Sequence, residues 1–252
     1  MIRIISIIIL VVGATYFLVN NKSYPIKMEK INFPTSDNQS IAANLFSVNE
    51  PLGWLILVHM MPTTKESWNA FAEQMQKSGY ESLAIDLRGH GESSGGPDGF
   101  NNFSDAQHQA SIGDLEAAWG FLKARGATAE KTNVIGGSIG ANLSLQFLVN
   151  HPEVSGGVLL SAGNYRGLDS AALVGKLSPS QNIIFAASKL DGRSTENNGE
   201  QNKQYFDLAR QVINRHLILF DGMGHGTSLF DLKSEYNLEE AIKKFLQNGR
   251  ID

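Results

Sequence analysis

The feature that most constrains this chain is a repeated alternation of short apolar runs with longer amphipathic stretches. Residues 54–58 read WLILV, with no polar side chain. A strand apolar on both faces is a strand covered on both sides, as in a parallel sheet flanked by helices. Seven further runs read as strands: 27–33, 41–48, 81–86, 132–135, 154–160, 182–187 and 216–220. Between them lie helical stretches with apolar residues at three- and four-residue spacing, among them Trp68, Phe71, Ala72 and Met75, and Ile112, Leu115, Ala118, Trp119 and Leu122. Thr63 followed by Glu66 fits a capping box that opens the first helix. Further helices are expected over 104–123, 138–150, 201–211 and 238–247. This order predicts an α/β protein: a three-layer α/β/α sandwich around a mostly parallel eight-stranded sheet, with the hairpin around Thr35–Gln39 forming an antiparallel N-terminal edge. In such sheets chemistry gathers at the carboxyl ends of the strands.

The N-terminus reads differently. Residues 2–19 carry one charge, Arg3, and stop at Asn20-Asn21-Lys22-Ser23. As a helix the run would be about 27 Å long, close to the hydrocarbon thickness of a bilayer. The expected division is a signal or anchor segment over 1–22 and a globular domain over 23–252. The run continues past the small residues Val12-Gly13-Ala14 that would suit cleavage, which favours a retained anchor on a membrane-attached or exported protein. A lipoprotein signal is excluded, because the chain has no cysteine. The same absence removes disulfides, zinc–thiolate sites and a cysteine nucleophile. With 21 basic and 25 acidic side chains the net charge is −4, which argues against a nucleic-acid partner.

Three residues late in the strand order carry candidate chemistry. Gly136-Gly137-Ser138-Ile139-Gly140 is a G-x-S-x-G placed between a strand and a helix. A serine on so sharp a turn needs glycines beside it, and it stands at the positive end of the following helix. The plain alternative is a Gly-rich connection in which Ser138 is only a helix cap. A serine hydroxyl needs a base. Of six histidines, only His225 follows the last strand, inside Asp221-Gly222-Met223-Gly224-His225-Gly226. The base needs a carboxylate to hold its tautomer. Asp191 follows the strand over 182–187, with Asp169, Asp207 and Asp221 as rivals. Ser138, Asp191 and His225 thus stand in the order nucleophile, acid, base.

These motifs resemble those of the α/β-hydrolases. Asp86-Leu87-Arg88-Gly89-His90-Gly91-Glu92-Ser93 is similar to the D-x-R-G-x-G-x-S turn of many members, where it shapes the site without reacting, so Asp86 and His90 read as structural. His59-Met60-Met61-Pro62 occupies the place of the family's H-G-x-P loop, with Met60 where glycine is usual. The resemblance implies an oxyanion hole built from the backbone N–H groups of Met61 and Ile139. It also implies a small capless member of the dienelactone-hydrolase or esterase type, because residues 161–181 are too few for a helical cap domain. Phe100, Phe103, Tyr165 and Arg166 are candidate substrate contacts at its open rim. The expected activity is hydrolysis of a carboxylic ester of a small acyl substrate, with no metal and no cofactor. A peptidase, thioesterase or acyltransferase would use the same three residues, and a membrane-tethered binding protein could keep the fold without the chemistry. A dienelactone-type lactonase would need the cysteine that this chain lacks. The sequence leaves the oligomeric state open.

Overall fold

The structure is a computed structural model, and it describes residues 27–193, 196–232 and 237–251. The segments expected to act as an anchor or signal, residues 1–22, lie outside that range. Among the described residues no helix is long and apolar enough to cross a membrane.

The central sheet has eight strands: β1 (Met28–Pro34), β2 (Ser40–Phe46), β3 (Gly53–Val58), β4 (Tyr80–Ile85), β5 (Thr132–Gly137), β6 (Gly156–Leu160), β7 (Asn182–Ser188) and β10 (Asn214–Phe220). Their order is β1-β2-β4-β3-β5-β6-β7-β10. β2 runs antiparallel to both β1 and β4, and every other pairing is parallel. The expected antiparallel edge and parallel body are therefore present. A two-stranded ribbon, β8 (Gly192–Arg193) with β9 (Glu196–Asn197), was not foreseen, being too short for any periodicity to show.

Among the described residues, seven α-helices accompany the sheet: α1 (Asn69–Lys77), α2 (Asp105–Gln109), α3 (Ile112–Ala124), α4 (Ile139–Asn150), α5 (Ser170–Val174), α6 (Asn198–Leu208) and α7 (Leu238–Asn248). The apolar run of β3 explains the layering. Trp54, Ile56 and Val58 point into a core shared with α3, α4 and α6, while Leu55 and Leu57 point into a second core under α1 and α7. No cap domain is evident among the described residues: between β6 and β7 the chain holds only the short α5.

Two local expectations are corrected. Thr63 does not cap a helix. Its hydroxyl donates to the Met60 carbonyl at 2.8 Å, residues Lys65–Trp68 form a single tight turn, and α1 starts only at Asn69. The stretch 104–123 is not one helix but two. Ser104 and Gln107 form a capping box that starts α2, and the chain bends at Ala110–Ser111 before α3. The bend lets Asp114 accept from both the backbone N–H and the Nε of Arg88, each at 2.8 Å.

Candidate active site

β5 delivers Ser138 to the carboxyl edge of the sheet, and α4 begins at the next residue. Ser138 has φ 53° and ψ −116°, a backbone conformation that a side-chain-bearing residue adopts only at a cost of order 1–3 kcal/mol. The flanking glycines are required by close approach. A Cβ on Gly136 would run into the carbonyl of Gly140, and one on Gly140 into the carbonyls of Val58 and His59. The turn therefore brings the end of β3 against the start of α4. The N–H of Ile139 is among the first-turn donors that a helix cannot satisfy internally.

The loop after β10 carries His225, which is 8% exposed, and the loop after β7 carries Asp191, 5% exposed. His225 Nδ1 lies 2.8 and 2.9 Å from the two carboxylate oxygens of Asp191. Nδ1–H donating to the carboxylate leaves Nε2 as the ring's acceptor. The two loops are tied together: the Ser188 hydroxyl donates to the Gly222 carbonyl, and Lys189 N–H donates to the Phe220 carbonyl at 2.9 Å. The histidine loop also abuts the elbow. A Cβ on Gly137 would stand 3.2 Å from Gly226 Cα, so the backbones before Ser138 and after His225 are in contact.

The rival acids lie elsewhere. Asp169 caps α5 by accepting from Ala172 N–H, Asp207 is exposed on α6, and Asp221 pairs with Lys189 at 2.7 Å on the surface.

The loop after β3 is fixed through one carbonyl. Met60 C=O accepts from Thr63 N–H at 2.9 Å, from the Thr63 hydroxyl at 2.8 Å and from His59 Nδ1 at 3.0 Å. The Met60–Met61 amide is trans, so the N–H of Met61 points away from that cluster of donors. Leu87 N–H donates to His59 Nε2 at 3.0 Å, which assigns the proton to Nδ1. Burial, and the neighbouring His90, push His59 down to about 3, so its ring is neutral. A side chain other than glycine at position 60 is accommodated against the histidine loop, since the space beside Gly226 is filled by Met60 Sδ.

The four rim residues separate into two groups. Phe100 stacks on His90 with ring centroids 4.2 Å apart, and Phe103 meets His108 edge-on at 5.5 Å. Tyr165 and Arg166 instead line a small cleft together with Ile139. Asp86 and His90 are both buried and engaged in the turn, as expected of structural residues.

Ser161 escaped the sequence reading. It sits at the end of β6 with φ 54°, is 1% exposed, and its Oγ accepts from Gly226 N–H at 3.0 Å. It therefore anchors the residue that follows His225. No sequence signal marks it, because its role depends on where β6 ends relative to a loop 65 positions later.

The fold is similar to that of several solved structures. The structure superposes on an esterase of Pyrococcus furiosus, Pf2001, with a TM-score of 0.71 and 18% identity, covering 88% of this chain and 92% of that one. A predicted CIB-like hydrolase of Thermoplasma acidophilum gives 0.67 and 18%, covering 89% and 100%. A thermostable carboxyl esterase of Bacillus coagulans gives 0.66 and 14%, covering 90% and 100%. No curated protein sequence matches the chain significantly. At these identities the likeness concerns the fold. The sequence itself matches the family model described as the alpha/beta hydrolase fold over residues 53–189, which span more than half of the chain, from β3 past the elbow to the end of β7. The chain belongs to the alpha/beta hydrolase fold family.

Proposed function

We propose that the protein is a serine hydrolase that cleaves a carboxylic ester of a small acyl substrate. The observation that carries this reading is the buried His225–Asp191 pair, held on a loop whose backbone touches the elbow bearing Ser138. Two of the similar solved structures are named as esterases, which favours an ester over an amide.

In the proposed reaction His225 Nε2 takes the proton of the Ser138 hydroxyl as Oγ attacks the substrate carbonyl. Negative charge moves to the carbonyl oxygen, where the N–H groups of Ile139 and Met61 receive it. One such donor contributes about 3–4 kcal/mol to the transition state. Asp191 stabilises the imidazolium. The intermediate collapses as His225 hands its proton to the leaving alcohol, and the acyl group stays on Ser138. Water then attacks with His225 again as base. The carboxylic acid leaves and Ser138 regains its proton. The steps use side chains, backbone and water alone.

Ser138→Ala should lower kcat for p-nitrophenyl butyrate by at least about 10⁴-fold, with an unchanged circular dichroism spectrum and melting temperature. Turnover that survives the substitution in a folded protein sinks the mechanism. A peptide and a thioester in the same panel separate the ester reading from a peptidase or thioesterase. A fluorophosphonate probe separates all of them from a tethered binding protein. From its apolar length, residues 2–19 are proposed to hold the enzyme at a membrane on the exported side.

A further inference from the structure

The buried pair of Asp191 and His225 joins two loops 34 positions apart. A catalytic pair of this kind works only while both loops keep their places, because a small misplacement is expensive in rate. Asn198, the first residue of α6, touches what holds each of them. Its backbone N–H donates to the Asp191 carbonyl at 2.9 Å. Its side-chain Nδ2 donates to the Ser161 carbonyl at 3.0 Å and to the Ala162 carbonyl at 3.2 Å. Only the nitrogen of an amide can satisfy two carbonyls, so the orientation of this side chain is fixed. Ser161 in turn accepts on its Oγ the N–H of Gly226, the residue after His225. The contacts close a ring: Asp191 to Asn198, Asn198 to Ser161, Ser161 to Gly226, and His225 back to Asp191.

The surroundings are built to hold this ring. Ser161 is the fixed point, since its own N–H donates to the Ala186 carbonyl of β7 at 2.7 Å. A Cβ on Gly163 would stand 2.7 Å from Asn198 Nδ2, so the chain after β6 is bare where the amide enters. Two neighbouring asparagines hold one side each. Asn197 caps α6 and donates from Nδ2 to the Lys189 carbonyl at 3.0 Å, which grips the acid loop. Asn202 Nδ2 donates to the Ala162 carbonyl at 2.7 Å, which grips the segment after β6. Of these three, Asn198 is the one that joins the two sides.

Resting on the serine-hydrolase reading above, we propose that Asn198 is a positioning residue. Its amide ties the acid loop to Ser161, and through Ser161 to the base loop, which keeps the Asp191 carboxylate aligned with His225 Nδ1–H.

The test compares the purified protein with Asn198→Ala, Ser161→Ala and the double variant. Alanine is a good helix former, so α6 is retained. Two measurements are made: kcat and KM for p-nitrophenyl butyrate, and the downfield proton resonance of the Nδ1–H shared with Asp191, assigned by its loss in Asp191→Asn. The resonance reads the pair without any turnover. Asn198→Ala should lower kcat at least about 10-fold, leave KM within about twofold, and abolish the resonance in a protein with an unchanged circular dichroism spectrum. Because both contacts belong to one ring, the double variant should lose no more than about threefold beyond the more impaired single variant. If either the native kcat or the native resonance persists in Asn198→Ala, the proposal is overturned. Losses that multiply in the double variant also overturn it, since two independent supports would then be at work. Should Asn198→Ala not fold, Asn198→Asp, of the same shape without the donor, carries the same expectations. If exchange hides the resonance in an active native protein, the kinetics of the three variants decide. A native protein that shows the resonance, loses it in Asn198→Ala and turns over no ester refutes the hydrolase reading and leaves the tie standing. With neither resonance nor turnover in the native protein, both readings fall.

Discussion

His59 shows how one buried side chain sets both stability and geometry. Its ring bridges two loops, donating to Met60 and accepting from Leu87, and only the neutral ring can do both. Its folded value lies near 3 against about 6.5 in an unfolded chain. Between these two limits the unfolded chain binds more protons than the folded one. The contribution of His59 is thus complete above about pH 6.5 and is lost as pH falls toward 3, at up to about 1.4 kcal/mol per pH unit. Asp114 works in the opposite sense over part of this range, since burial raises it to about 6 against the pull of Arg88. Comparing the native protein with His59→Asn isolates the histidine. Urea unfolding at pH 7.5, 6.5, 5.5 and 4.5 should show a stability difference that shrinks steadily with acidification. A constant difference would mean that the ring does not titrate in this way. The residue scale also shows the limit of reading a motif. His59 is visible in the sequence as part of a loop pattern, but its tautomer depends on Leu87, 28 positions away.

At the scale of elements, the turn after β4 is held by a buried ion pair. Asp86, fully buried, accepts from Lys65 N–H at 2.8 Å, from Lys65 Nζ at 2.7 Å and from Glu92 N–H at 2.9 Å. Lys65 is 1% exposed and also meets Glu92 and Glu66, and these carboxylates hold its ammonium charged. The pair fastens the turn before α1 to the turn after β4. Both flank the loop that carries Met61. Removing one partner of a buried pair strands the other, at a cost of about 3–5 kcal/mol. Asp86→Ala should therefore lose at least about 3 kcal/mol in denaturant unfolding, although Asp86 takes no part in the proposed proton transfers. A loss below about 1 kcal/mol would show that Glu92 and Glu66 suffice for Lys65. The block Asp86 to Ser93 was legible as a unit, because its glycines and charges stand close together in the chain. Lys65 was not, since nothing in a Thr-Thr-Lys-Glu stretch distinguishes a buried lysine from a surface one. The same limit applies to the break between α2 and α3. No proline or glycine at Ala110–Ser111 announces it, and the contact that it allows, Asp114 accepting from Arg88 N–H, depends on another part of the chain.

On the whole-molecule scale, the two cores on either side of the sheet bury nearly every apolar side chain of the eight strands, and no cap evident among the described residues shields the carboxyl edge. The proposed tether of residues 2–19 belongs to this scale too. Expressed with its full N-terminus, the protein should sediment with membranes and resist carbonate extraction, whereas a variant lacking residues 1–22 should be recovered in the supernatant. A full-length protein found entirely in the supernatant would refute the tether.

What the sequence determined by itself is whatever rests on neighbours along the chain. Strand runs, helix stripes, the elbow glycines and the order Ser138, Asp191, His225 all follow from local composition and spacing. Tertiary structure alone decided which distant groups meet. It seated Asp191 against His225 rather than leaving Asp221 to do so, set Ser161 behind Gly226, and brought Asn198 to both Asp191 and Ser161. The physical reason is that backbone periodicity is imposed residue by residue, whereas the pairing of a buried polar atom depends on where the crossovers bring the ends of separate strands.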